Sequence, residues 1–102
     1  MGDIIHSCIV VTSTDDDEIN KLHTISIDIF SKQLVTAILI LPANGFKTFF
    51  IASTGSKSGW TLSENYNINK IKFINIVKDM KAVEFEIIEY GIDFNNLKGE
   101  IQ

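Results

Sequence analysis

Apolar residues recur along this chain in two rhythms, one of strands and one of helices. Residues 4–12, Ile-Ile-His-Ser-Cys-Ile-Val-Val-Thr, form a β-branched apolar run, the pattern of a strand buried on part of both faces. Over residues 15–30 the spacing becomes helical, with Ile19, Leu22, Ser26, Ile29 and Phe30 on one stripe. Ser13 and Thr14 supply a hydroxyl cap, and Asp15, Asp16, Asp17 and Glu18 place negative charge at the positive helix end. Ile25 and Ile27 alternate with polar neighbours as in a strand, but the cap and the length decide for a helix. Residues 35–41 are continuously apolar, Pro42-Ala43-Asn44-Gly45 is turn chemistry, and residues 46–53 resume as a strand, which predicts a β-hairpin. After a loop over 54–59, Ser63 reads as a cap and Glu64 as first-turn acid of a second helix over 64–80. Its inner face would carry Phe73, Ile74, Val77 and Met80. Residues 83–90 alternate apolar and acidic up to Gly91, and residues 97–101 could add a short edge strand.

The order strand, helix, strand, strand, helix, strand predicts an α+β, ferredoxin-like βαββαβ fold with one antiparallel sheet in the order 4-1-3-2. Residues 1–102 read as a single such domain, without linker, low-complexity tract or repeat beyond the two βαβ halves. Two helices cover one face of that sheet, and the other should be polar in a monomer. Instead both faces read as apolar: Ile5, Ile9 and Val11 alternate with Cys8 and Val10 on the first strand, Val35, Ala37 and Leu39 with Ile38 and Ile40 on the second, and Phe46 and Phe50 with Phe49 and Ile51 on the third. Self-association into a homo-oligomer through the sheet is the expected consequence.

Charge narrows the function classes. The formal net charge is −4, and all nine basic residues are lysines. Without arginine there is no guanidinium fork to read guanine edges, and the acidic balance opposes a general phosphate-binding surface, so DNA is not an expected partner. Lysine and backbone N–H groups can still hold one phosphate locally. No segment approaches the ~20 apolar residues of a membrane-spanning helix. A single cysteine, Cys8, no Asn-x-Ser/Thr sequon and no basic-apolar leader make the cytoplasm the expected location.

The most chemically suggestive segment is Gly55-Ser56-Lys57-Ser58-Gly59-Trp60. Glycines let a ligand approach the backbone, hydroxyls and N–H groups can ring a phosphate, Lys57 adds charge and Trp60 offers a stacking face. Asn44, Gly45, Phe46 and Lys47 of the neighbouring hairpin complete the expected ligand site. The same loop also reads as a plain connection with Trp60 packed as a core plug. It is neither a Walker loop nor a Gly-x-Ser-x-Gly elbow. His6 and Cys8 share one strand face but lack a third orienting group, so no catalytic residue is expected. His6, Cys8 and His23 lack structural-site spacing for zinc, and Asp15, Asp16 and Asp17 lack the ligand pattern of a calcium loop, so neither a metal nor another cofactor is expected. Glu84, Glu86 and Glu89 read as the polar positions of a strand.

Taken in order, His6-Ser7 ahead of Val10-Val11-Thr12-Ser13, then Pro42-x-Asn44-Gly45-Phe46-Lys47-Thr48-Phe49, then Gly55-Ser56-Lys57-x-Gly59-Trp60, the chain resembles a family of small phage and prophage proteins without an assigned enzymatic activity. Small phage proteins of this kind include inhibitors of bacterial immunity, among them sponges that bind nucleotide second messengers. The resemblance therefore implies a non-enzymatic oligomeric binding protein acting in the host cytoplasm on a nucleotide-derived signal. The absence of arginine departs from the phosphate pockets common in such sponges. Two other classes fit the residues: a module that blocks a host protein through its apolar sheet or acidic edge, and a small dimeric enzyme with His6 as acid or base between sheet and helices.

Overall fold

The computed structural model describes residues 6–57 and 59–91. Strand β1 (His6–Ser13) leads into helix α1 (Asp16–Phe30), followed by β2 (Leu39–Ile40), β3 (Lys47–Ala52), helix α2 (Thr61–Val77) and β4 (Val83–Tyr90). The four strands form one antiparallel sheet in the order β2-β3-β1-β4, which is 4-1-3-2 read from the other edge. Both βαβ units therefore cross over as the ferredoxin-like expectation requires. The expected edge strand over 97–101 and residues 4–5 of the first strand lie outside the described residues.

Alternation along the strands sorts the two faces. Ile9 and Val11 of β1 and Phe49 and Ile51 of β3 are fully buried against the helices, with Val83, Phe85 and Ile87 of β4 packed beside them. The helices add Ile19, Leu22 and Phe30 from α1 and Tyr66, Phe73 and Val77 from α2. On the open face, the strand registers group Cys8, Ala52 and Ile88, then Val10, Phe50 and Glu86, then Thr12, Thr48 and Glu84. That face is apolar at one end and polar at the other, where the Thr12 and Thr48 hydroxyls lie 3.1 Å apart.

The acidic run at the start of α1 has three structural uses. Asp15, rather than Ser13 or Thr14, is the N-cap: its Oδ1 accepts the Glu18 N–H at 2.9 Å. Ser13 steps back one layer and accepts the Asp15 N–H at 2.9 Å. Asp16 pairs with Lys47, and Glu18 accepts the Ala82 N–H at 3.2 Å, which ties the helix start to the approach to β4. Removing this cap in Asp15→Ala should cost about 1 kcal/mol. A fall in melting temperature of roughly 4–8 °C is the expected readout, and an unchanged melt would show that Ser13 substitutes for it.

Two elements depart from the sequence expectation. The apolar run over 35–41 does not make one continuous strand. Val35 bridges Ile51 and the Thr36 N–H donates to the Phe50 carbonyl, whereas Leu39 pairs with Thr48 and Ile40 with Lys47. Ala37 and Ile38 thus oppose the single Phe49, a β-bulge that shifts the register by one residue, and Leu39 and Ile40 beyond it are exposed. Helix α2 begins at Thr61 and ends at Val77, three residues ahead of expectation at each end, with Trp60 as an N-cap that makes no side-chain bond. Its end is tightened by the Met80 N–H donating to the Val77 carbonyl at 2.9 Å.

Candidate functional site

At one end of the sheet, three core-facing rows change from apolar to polar. On β1 the row Val11, Ile9 ends in Ser7; beyond β3 the row Phe49, Ile51 ends in Ser53; on β4 the row Val83, Phe85, Ile87 ends in Glu89. The facing stripe of α2 does the same, from Val77 and Phe73 back through Lys70, Asn67 and Tyr66 to Ser63. Ser7, Ser53, Glu89 and the polar end of the α2 stripe, with Thr54, Gly55 and Ser56 from the β3–α2 loop, line a cleft of about 130 Å³.

A chain of short hydroxyl contacts organises its walls. The Ser56 N–H donates to Thr54 Oγ1 at 3.3 Å, Thr54 Oγ1 and Ser56 Oγ lie 2.7 Å apart, and Ser56 Oγ and Ser63 Oγ 2.6 Å apart. Ser63 donates onward to the Lys57 carbonyl at 2.9 Å. This explains why Ser63 does not cap α2: its hydroxyl holds the loop from within the first turn of the helix. On the opposite wall, the Ser7 N–H donates to Ser53 Oγ at 3.2 Å and the Ser7 hydroxyl to the Tyr66 oxygen at 3.3 Å. Hydroxyls are both donors and acceptors and rotate freely, so such a set can redirect its protons toward an incoming oxyanion.

Tyr66, Lys70 and Glu89 set the electrostatics. Lys70 Nζ stands 5.8 Å from the centre of the Tyr66 ring. Glu89 contributes a carboxylate to the same cleft. Burial raises the Tyr66 phenol above its ordinary value; the Ser7 hydrogen bond lowers it, and the nearby Cys8 adds to the rise. The unfolded chain therefore loses that proton first as pH climbs past about 10. The Tyr66 contribution to stability is full below that pH and falls as pH rises toward the folded value. Alkaline melts should show this extra loss in the wild type and not in Tyr66→Phe; parallel curves for the two would contradict it.

No protein-family model and no curated protein matches this chain. Among solved structures, it is similar to De novo designed protein Foldit4, with a TM-score of 0.55 and 14% identity over 84% of this chain and 94% of that one. At that identity the likeness concerns the fold.

The residues singled out from the sequence do not come together. Strand β3 separates Asn44, Gly45, Phe46 and Lys47 at its start from the 55–60 loop beyond its end, roughly 17 Å away at strand rise. Lys47 is engaged with Asp16. Asn44 and Gly45 both adopt positive φ, 61° and 71°, as a tight hairpin turn requires. Of the loop, Gly55 and Ser56 line the cleft. Lys57 and Trp60 pair with each other outside it, the lysine Nζ 5.9 Å from the indole centre, and Trp60 is 54% exposed rather than a core plug. Gly55 and Gly59 take φ of 79° and 88°, and a Cβ at either would meet nothing within 4 Å. Glycine supplies conformation there, not room for a ligand. Ser58 lies outside the described residues.

The remaining candidates separate as well. His6 and Cys8 share the open face, where His6 stacks on Tyr90 with ring centres 5.3 Å apart. Burial raises the Cys8 thiol, which lowers its thiolate fraction at neutral pH. His23 lies on the helix side, its Nε2 2.8 Å from the Thr36 carbonyl and its ring edge-on to Phe49. The sheet thus stands between His23 and the other two, and His6 faces away from any substrate held between sheet and helices.

Proposed function

We propose that this protein is a non-enzymatic binding protein of the cytoplasm that sequesters a small nucleotide-derived ligand, with a phosphate of that ligand held in the hydroxyl cleft. The observation that carries this reading is the simultaneous switch of three strand rows and one helix stripe from apolar to polar around a shared space. A core edge built only for stability would end in water, whereas these side chains converge, and their hydroxyls with Lys70 make a donor-rich pocket for an oxyanion. The resemblance to phage and prophage proteins supports reading the ligand as a signal of bacterial immunity. Calorimetric titration of the purified protein with inorganic phosphate, nucleoside monophosphates, cyclic mono- and dinucleotides and cyclic ADP-ribose isomers tests it. Saturable binding of a phosphate-bearing compound is expected, and heats indistinguishable from dilution across the panel would overturn the reading.

The homo-oligomer belongs to the same proposal. Its support is the apolar end of the open sheet face, Cys8, Val10, Phe50, Ala52 and Ile88. Light scattering at about ten micromolar, a concentration scale that detects weak association, should give a multiple of the chain mass; a monomer mass would refute it. A second reading, a module that captures a host protein, is favoured by the exposed hairpin residues Leu39, Ile40, Leu41 and Phe46. Pull-down with wild type and Ile40→Asp separates the two, because this substitution leaves the cleft intact.

A further inference from the structure

The hydroxyl cleft shares a wall with a second hollow. Thr54 and Tyr66 line both. The second hollow, about 360 Å³, opens between the end of α1 and the first half of α2. Helical spacing puts Leu62, Asn65, Tyr66 and Asn69 on one side of α2, and Phe30, Gln33 and Leu34 close the space from the α1 end. Tyr66 joins the two chemically: its hydroxyl meets Ser7 in the cleft, while its ring tilts against Phe30 at 5.4 Å in the hollow.

The two spaces differ in what they can hold. Lys70 and Glu89 line the cleft, but among the described residues none that lines the hollow is charged. Its polar groups include three carboxamides, Gln33, Asn65 and Asn69, each offering a donor and an acceptor side by side. That pairing matches the edge of a nucleobase, and the apolar side chains of Phe30, Leu34 and Leu62 suit its faces. Size sets a limit as well. Pockets for drug-sized molecules span roughly 300–1,000 Å³, so the hollow admits one heterocycle with its sugar, and the cleft admits little more than one phosphoryl group.

We infer that cleft and hollow form a single site for one nucleotide unit, its base among Gln33, Asn65 and Asn69 and its phosphate among the hydroxyls beside Lys70. This rests on the reading of the cleft as a phosphate site and goes further, because it selects a nucleoside monophosphate unit over two nucleosides bound side by side.

The test is titration calorimetry with the 5′-monophosphates of adenosine, guanosine, cytidine and uridine, the matching nucleosides and inorganic phosphate, on wild type, Asn65→Ala/Asn69→Ala, Gln33→Ala and Lys70→Ala. At least one monophosphate should bind about tenfold or more tightly than both phosphate and its own nucleoside. Asn65→Ala/Asn69→Ala should lose about tenfold in affinity for it, the scale of one buried hydrogen bond, while keeping its affinity for phosphate. Alanine is a better helix former than asparagine, so thermal melts should show α2 intact; if they do not, Gln33→Ala, off the helix, carries the same comparison. Lys70→Ala should weaken phosphate and nucleotide alike. If monophosphates bind no better than phosphate, or the carboxamide variants bind them as the wild type does, the base hollow is refuted while the phosphate cleft stands. If the wild type binds neither phosphate nor any monophosphate, the cleft reading fails and this inference with it.

Discussion

Phe73→Ala is expected to lower the melting temperature by about 15–30 °C, corresponding to roughly 3–5 kcal/mol for deleting a buried aromatic ring. Phe73 is fully buried, and its ring lies 5.9 Å from Phe30 of α1 and 6.1 Å from Phe85 of β4, so one side chain joins three elements. Helix α2 has few other anchors: Tyr66 and Val77 are its remaining buried residues, and Leu62, Ile68, Ile71 and Ile76 are exposed. A domain of this size is stable by only about 5–10 kcal/mol. Losing this anchor should also loosen the cleft, because Ser63, Tyr66, Asn67 and Lys70 all ride on α2. Ile68→Ala on the exposed side is the control and should stay within about 0.5 kcal/mol of wild type. A melting temperature lowered by less than about 5 °C in Phe73→Ala, or equal losses in the two variants, would contradict the packing described.

Lys70→Ala should weaken binding of a phosphate-bearing ligand by about ten- to a hundredfold, the range for losing one hydrogen bond to a charged group. Among the residues lining the cleft, Lys70 is the cation, and its position over the Tyr66 ring holds the ammonium near the hydroxyl wall. The affinity should fall with added salt in the wild type and less steeply in the variant. Glu89→Gln should act in the opposite direction and tighten anion binding, because it removes a like charge from the same walls. Lys57→Ala should leave affinity unchanged, since that side chain pairs with Trp60 outside the cleft. The reverse pattern, with Lys57 essential and Lys70 dispensable, would move the site to the glycine loop.

The sequence makes some of this legible and hides the rest for physical reasons. Strand β4 can be read residue by residue because Val83, Phe85 and Ile87 alternate with Glu84 and Glu86, and a half-buried strand imposes that period. The run over 35–41 is apolar throughout, so it carries no phase, and the bulge at Ala37 and Ile38 leaves no mark in it. Ser63 followed by Glu64 imitates a helix cap, but its hydroxyl is already engaged with the loop carbonyls, and α2 starts earlier.

The site shows the same contrast. The stretch Gly55-Ser56-Lys57-Ser58-Gly59-Trp60 draws notice by composition, because small residues, a cation and an indole stand together. Two of its glycines serve positive φ, and its lysine and tryptophan serve each other. Ser7, Ser53, the Tyr66–Lys70 pair and Glu89 stand far apart in the chain and belong to no motif. Their signal lies in phase: Ser7, Ser53, Lys70 and Glu89 each continue a core-facing row or stripe one step beyond its last apolar residue, and Tyr66 follows Lys70 one turn on. Reading where those rows turn polar, after the topology has aligned them, finds the cleft without any motif.

Amide chemical-shift mapping tests the central claim most directly. In ¹H–¹⁵N correlation spectra of the isotopically labelled protein titrated with inorganic phosphate and then with nucleoside monophosphates, saturable shifts should centre on Ser7, Ser53, Gly55, Ser56, Ser63 and Asn67. Shifts centred on Lys57 and Trp60, on Asn44 to Lys47, or on no residue at all would contradict the assignment of this cleft as the ligand site.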